Sequence, residues 1–384
     1  MIYQRLGETP SKRHQVYRKP SGALYTEELV GNMGFTGPSS LLYHVHRPTA
    51  VRALNKLKDT TWQAAPAEPL RHRHFRTKLL TETGDAIANR VPLLFNHDVC
   101  LSVVRPNAES TVFYRNAEGD EIVFVSEGEG ALESPFGSIV FGAGDYLLIP
   151  RGILHRYRFA SENRVLLIIE SAGYVRTPRR YRNEFGQLME SSPYSERDIR
   201  CPQNLETRDE EGEFRLVVKK NNQLTEMILA HHPFDVVGWD GYYYPWAINI
   251  RNFEPRVGRF HLPPPTHQMF EGDGFVVCSF CPRPFDFDPD AVPAPYNHSN
   301  VMSDEVLYYA NSEFMSRKDI EYGSITLHPD GLAHGPQPGR TEASLGQKQT
   351  NELAVMMDTF HGLHVSAQAV DIEDRDYYLS WLDQ

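Results

Sequence analysis

The sequence predicts a mainly β protein: two β-barrels preceded by a β-rich N-terminal extension. Three observations carry that reading. Short apolar runs at 92–96, 99–104, 121–126, 130–133, 138–141, 146–150 and 165–170 are separated by Gly, Asp and Glu, the spacing of strands in a sandwich or barrel. A second series follows at 274–281, 305–310, 323–328 and 353–358. The length, 384 residues, exceeds one ordinary domain and leaves room for two cores.

Bulk composition narrows the function. Lys plus Arg is 39 and Asp plus Glu is 50, a formal net charge of −11. That balance argues against nucleic acid, whose binders present a basic face. With 40% hydrophobic and 11% aromatic residues the chain is globular. No apolar run approaches the roughly 18–20 residues of a membrane span. Residues 1–20 are basic with no apolar core behind them, unlike a secretory signal. Cys100, Cys201, Cys278 and Cys281 are too few for a disulfide scaffold, so a reduced, cytoplasmic protein is expected. Cys278-Ser-Phe-Cys281 has redox or zinc spacing. It lies inside an apolar run, however, with no helix start after it and no second pair, so buried strand thiols are expected.

Residues 1–90 contain His44-Val-His46 and His72-Arg-His74, each placing two imidazoles on one strand face. No carboxylate follows at a useful spacing, and Arg71 and Arg73 crowd the second pair, so structural or substrate-access roles are expected rather than metal binding. The stretch 142–155 runs from a Gly-Asp turn through a strand into Pro150-Arg-Gly-Ile-Leu-His155, which resembles the second motif of cupins. The histidines of the first cupin motif, due just before Glu121, are absent from 114–120. Residues 1–172 therefore read as an N-terminal region with a degenerate, metal-free cupin barrel, His155 being packed and structural. Residues 173–236 carry Arg176, Arg179, Arg180 and Arg182, then an acidic run at 209–213, and read as a connecting region. Strand-like runs nevertheless return at 214–218 and 224–230. The aromatic run 233–246 suits either the wall of a ligand site or the floor of the next barrel, which occupies 237–384.

Chemistry concentrates in 296–336. His298 precedes Ser303-Asp304-Glu305 at the start of one strand; His328 ends the next, and His334 follows the turn Pro329-Asp-Gly331. His-x6-Glu resembles the first cupin motif with one of its usual histidines missing, and Gly-x5-Pro-Asp-Gly-x-x-His is close to the second, in the right order. Two imidazoles and one carboxylate on adjacent strands suffice for a non-haem iron site with open positions. Zinc is allowed by ligand type but suits a dioxygen pocket less. Asp304 and Glu305 point to opposite strand faces, so only one faces the metal; the cupin pattern favours Glu305. His328 competes with His334, one for the metal and one for substrate.

Residues 31–38, 234–245, 295–305 and 328–336 together resemble the homogentisate 1,2-dioxygenase family, in a shorter bacterial branch, over most of the chain. The resemblance implies a cupin fold with Fe(II) only in the C-terminal barrel, held by His298, Glu305 and His334. It implies that Tyr296 and His328 contact substrate. It also implies a histidine base with a pKa near working pH, here His267, with His261 in reserve because the polyproline segment between them departs from better-known members. Asp304 is a second departure, since the family has Ser followed at once by Glu. The implied activity is O2-dependent cleavage of homogentisate to maleylacetoacetate in tyrosine and phenylalanine catabolism. The partners are a small aromatic acid and O2, in a homo-oligomer. A related iron cupin acting on gentisate or another dihydroxy-aromatic acid is the alternative; a non-catalytic bicupin metabolite-binding protein is the second. The group that binds the substrate carboxylate is sought among Arg and Tyr of the N-terminal region or another subunit. Glu305→Ala is expected to lose iron and activity, and Asp304→Ala largely to keep them. His361-Gly-Leu-His364, with no acid close in sequence, reads as a surface or supporting pair, and the aromatic tail 371–384 as a surface that packs on another subunit.

Overall fold

The computed structural model describes residues 2–382. Strands dominate, and the single α-helix among the described residues is the short Arg340–Ser344. Two seven-stranded sheets build the first barrel. One has the order Gly137–Phe141, Gly130–Ser134, Leu154–Phe159, Phe113–Asn116, Glu211–Lys220, Gln223–His231 and Val51–Asp59; the other runs Trp246–Asn249, Asp145–Ile149, Asp120–Glu127, Val165–Ser171, Val99–Val104, Val91–Phe95 and His364–Val365. The second barrel is built on a further seven-stranded sheet, ordered Gln268–Gly272, Phe275–Phe280, Ala354–Thr359, Asp304–Tyr309, Ser324–His328, Arg73–Arg76 and Glu373–Asp374. A four-stranded sheet of Gln4–Gly7, Val236–Gly241, Ser39–His44 and Thr26–Gly31 forms the N-terminal extension.

The halves exchange strands. Arg73–Arg76, early in the chain, pairs with Ser324–His328 of the second barrel, and His364–Val365 pairs with Val91–Phe95 of the first. One continuous apolar core spans both. Polar contacts pin the sheets where they meet: Tyr308 donates to Ser126 at 2.7 Å, and the Tyr146 and Ser279 hydroxyls lie 2.9 Å apart. Burying that core from two distant parts of the chain makes folding of either half dependent on the other.

The acidic run 209–213 leads into a strand rather than a free connection. Glu211–Lys220 and Gln223–His231 form a hairpin whose first strand joins Phe113–Asn116 in parallel. Asn221 and Asn222 both have φ of 54°, the left-handed pair that a tight two-residue hairpin needs and that Asn tolerates best. Both cysteines of the Cys-x-x-Cys stretch are buried free thiols, as expected of strand cysteines.

The histidine pair at 44 and 46 serves structure. His44 sits between Asp235 Oδ1 at 2.7 Å and Glu28 Oε2 at 3.1 Å, joining two strands of the extension to the residue just before a third, while His46 pairs with Asp209. Burial alone would lower the His44 pKa, but the hydrogen bonds to Asp235 and Glu28 prevail and raise it from 6.5 to about 9. The folded imidazole thus holds its proton more tightly than the unfolded chain does. Its contribution, on the order of 3 kcal/mol, is complete below pH 6.5 and is lost as pH rises towards 9. Urea midpoints are expected to fall across that window in the wild type, and His44→Asn to flatten the slope.

Candidate metal centre

The site is assembled by two features of the second barrel. Strands Asp304–Tyr309 and Ser324–His328 pair antiparallel, which sets Glu305 directly opposite His328. Two loops then meet at an isolated bridge in which His298 and His334 exchange backbone hydrogen bonds, both 2.8 Å. That approach leaves no room beside Asn297: a Cβ on Gly335 would stand 2.2 Å from Asn297 Oδ1, so only glycine fits there.

The side chains converge on Glu305. Its Oε1 lies 2.7 Å from His328 Nδ1 and 3.3 Å from His334 Nε2, and its Oε2 lies 3.7 Å from His298 Nε2. One donor atom each from His298, Glu305 and His334 falls within 4.8 Å of the others. His298 Nδ1–H donates to the Tyr296 carbonyl at 2.9 Å, which fixes the ring and turns a bare Nε2 towards Glu305. His334 Nδ1 faces the Leu332 carbonyl at 3.4 Å, and its Nε2 is buried without a hydrogen-bond partner. Burial opposes ionisation of Glu305, yet the surrounding histidines, His328 among them by a direct hydrogen bond, hold it well below the usual carboxylate range. Two bare imidazole nitrogens around an ionised carboxylate form a donor set that fits a divalent cation.

Asp304 points the other way. Its Oδ1 accepts the Asp330 N–H at 2.8 Å and its Oδ2 the Leu363 N–H at 2.7 Å. It ties two loops together and is not aimed at the cluster, so the face question left open by the sequence resolves in geometry towards Glu305.

A cavity of about 110 Å³ opens beside the cluster, walled by His261, His267, Phe280, Tyr296, His298, Glu305 and Arg317 among others. Tyr296 is at its exposed rim against His261, the ring centroids 5.2 Å apart. His267 is buried against Phe280, its Nδ1 unpartnered. Burial, helped by the Arg283 charge, pushes its pKa down to about 3, so it is a neutral acceptor and not the near-neutral base expected of it. His261 stands nearer solvent beside Asp286. His328 is fully buried and absent from the cavity wall; its Nδ1–H is spent on Glu305, and burial lowers its pKa to about 3.

Three residues nearby were not placed at the site by sequence reasoning. Arg317 lines the cavity while only 5% exposed. It donates to the Gly335 carbonyl at 2.7 Å and to Ser316, its Nε is unpartnered, and no carboxylate pairs with it among the described residues. Asp358 faces Glu305 across the neighbouring strand with an unpartnered Oδ1; burial and the Glu305 charge push its pKa up to about 7. His72 stacks edge-on to His328, 5.4 Å away, and donates or accepts nothing at Nδ1. Only the alternation His72-Arg-His74 hinted at the last of these.

The first barrel presents the contrasting case. Glu121, on its inner strand, is fully buried and bound in bidentate fashion by Arg90 at 2.7 and 2.9 Å, with Asn116 at 2.9 Å. His155 is fully buried nearby, its Nδ1 facing its own turn. A guanidinium thus occupies the carboxylate that a cation would need. Burial opposes ionisation of Glu121, but Arg90 brings its pKa down to about 2. Arg90→Ala leaves that charge buried and unpaired and is expected to cost about 3–5 kcal/mol in denaturant unfolding.

A double-barrel β protein with a two-histidine, one-carboxylate cluster inside its second barrel belongs to the cupin-like class in architecture. Residues 11–250 match the profile described as homogentisate 1,2-dioxygenase N-terminal. A protein of Saccharolobus solfataricus, described provisionally as a dioxygenase, is 43% identical over 384 residues, covering 99% of each chain. The homogentisate 1,2-dioxygenase of Bradyrhizobium diazoefficiens is 29% identical over 70% of this chain and 62% of its own. Among solved structures, a cupin 2 conserved barrel domain protein from Leptotrichia buccalis covers 79% of this chain and 100% of its own at 10% identity, with a TM-score of 0.35. The chain belongs to the homogentisate 1,2-dioxygenase family. The profile match ends at residue 250, before the cluster begins.

Proposed function

We propose that the protein is a non-haem Fe(II) ring-cleaving dioxygenase that converts homogentisate and O2 to maleylacetoacetate, a step of tyrosine and phenylalanine catabolism. The observation that carries this is the convergence of His298 and His334 on ionised Glu305 beside an apolar-walled cavity. Fe(II) on that face supplies a redox centre with room for substrate and O2. Both oxygen atoms enter the product, so no external reductant is required.

The remaining work falls to the chain. His298 is oriented by Tyr296, and Glu305 by His328. Neutral His267, on the cavity wall, offers a hydrogen-bond acceptor that orients a phenolic hydroxyl without taking its proton. Phe280, Leu307 and Met356 exclude water around the ring. Arg317 is our assignment for the carboxylate anchor: a buried guanidinium without a counter-ion is costly, and a substrate carboxylate completes it. Arg283 is the poorer choice because Glu352 already lies 3.4 Å from it.

Oxygen uptake by Fe(II)-loaded protein over a panel of homogentisate, gentisate and catechol tests the reading. Consumption with homogentisate supports it. Consumption with gentisate alone moves the assignment to the alternative enzyme, and none with any, from iron-loaded protein, points to a metabolite binder.

The four unpaired cysteines suit a reducing compartment, and we place the protein in the cytoplasm. No helix among the described residues is long and apolar enough to cross a membrane. We further read the chain as a homo-oligomer. Supporting this, the edge strand Val51–Asp59 is exposed along its whole length, with Val51, Leu54 and Leu57 among its side chains. Light scattering on purified protein is expected to return a multiple of the 43.9 kDa chain mass, and Leu54→Lys to reduce it.

A further inference from the structure

A second group of metal-ligating side chains lies on the outside of the molecule. His97 and Asp98 occupy the turn between Val91–Phe95 and Val99–Val104 of the first barrel. His361 follows Ala354–Thr359 of the second. The acid that His361 lacks in sequence is supplied across the barrel junction. Its Nδ1 lies 2.8 Å from Asp98 Oδ2, and His97 Nε2 lies 3.3 Å from Asp98 Oδ1. The two imidazole centroids are 4.3 Å apart, and donor atoms of all three residues fall within 4.8 Å of one another.

The arrangement is held from behind by one residue. Asn96 Oδ1 accepts the backbone N–H of Asp98 at 2.8 Å and of Val99 at 3.0 Å, which shapes the turn. Asn96 Nδ2 donates to the His361 carbonyl at 2.8 Å, and Thr359 donates to the same oxygen at 2.9 Å. Both halves of the cluster are therefore fixed by groups that are not themselves ligands. An ion pair uses one imidazole for one carboxylate. Here a second imidazole is brought against the same carboxylate and the first ring, where two imidazolium charges would repel.

We propose that His97, Asp98 and His361 form a surface site for a borderline divalent cation of the Zn2+ class, clipping the two barrels together. Two imidazoles and a carboxylate, with water completing the shell, are the donor set such ions take. The clip also bears on the inner centre. Two residues beyond His361, the Leu363 N–H donates to Asp304 Oδ2 at 2.7 Å, and Asp304 precedes Glu305. An ion outside thus steadies the loop that anchors the strand carrying the inner carboxylate.

Co2+ titration reads the site by its visible absorption and by bound metal per chain after desalting. It is run on Glu305→Ala, which lacks the inner carboxylate, and on wild type preloaded with Fe(II). One Co2+ per chain is expected in each, lost in His361→Ala and in His97→Ala; both changes are at exposed side chains and leave the fold intact. Zn2+ is expected to raise the melting temperature of wild type and not of His361→Ala. No retained Co2+ in either background, or retention unchanged by His361→Ala, overturns the site and leaves an ion pair only. Because neither His97 nor His361 belongs to the inner cluster, that failure would not bear on the iron reading.

Discussion

Glu305→Ala is expected to abolish iron retention and oxygen uptake together, while Asp304→Asn keeps both. The two carboxylates are adjacent in sequence and opposite in role. Glu305 accepts a hydrogen bond from His328 and faces the Nε2 atoms of His298 and His334 in a buried cluster, so its loss leaves two bare imidazoles and no anion to neutralise a dication. Outer partners of metal ligands alone are worth about 10–100-fold in affinity, and a ligand carboxylate is worth more. Asp304 instead receives two backbone N–H groups from separate loops. Asparagine retains one acceptor. Alanine retains none, orphaning two donors at a cost of about 2–4 kcal/mol, so the sequence-based expectation that Asp304→Ala is benign is revised: iron should still bind, but to a less stable protein. Iron analysis and urea unfolding of the three variants separate binding from stability. Equal iron loss in Glu305→Ala and Asp304→Asn would contradict the assignment.

Arg317→Gln is expected to lower kcat/KM for homogentisate by about 10- to 100-fold, the worth of a hydrogen-bonded charge pair, chiefly through KM. The same change should leave turnover of methylhydroquinone, which lacks the carboxylate, within a few-fold of wild type. Removing an uncompensated buried cation carries little stability penalty, so the protein should fold. Parallel losses on both substrates would mean that Arg317 only supports the Gly335 loop, through the hydrogen bond it already makes.

How far the sequence reached depended on how local each feature was. The strands at 92–96, 99–104, 121–126, 146–150 and 165–170 were legible because apolar runs and turn residues are adjacent in the chain. The strands of the hairpin Glu211–Lys220 and Gln223–His231 were legible as the runs 214–218 and 224–230, but the acidic run hid where the first begins, and the Asn221-Asn222 turn between them was not read. The exchange of Arg73–Arg76 into the second barrel had no local sign at all. At the site, spacing placed the candidate histidines and acids in one region, and the family resemblance singled out His298, Glu305 and His334, which two strands and two loops bring together. What spacing does not contain is register. That Glu305 falls opposite His328, turning the latter from cavity wall to hydrogen-bond partner, is fixed only by the pairing of the strands. The depressed pKa of His267 arises from burial and from Arg283, remote from it in sequence. Arg317 was invisible for the same reason: it lies in a loop without periodicity, and its meaning comes from the missing counter-ion.

The most direct measurement is the iron content of wild-type protein reconstituted anaerobically with Fe(II) and desalted, followed by O2 consumed per homogentisate added. One iron per chain and one O2 per homogentisate are expected, both lost in Glu305→Ala. Wild-type protein that retains no iron, or iron that survives Glu305→Ala undiminished, would contradict a catalytic centre at His298, Glu305 and His334.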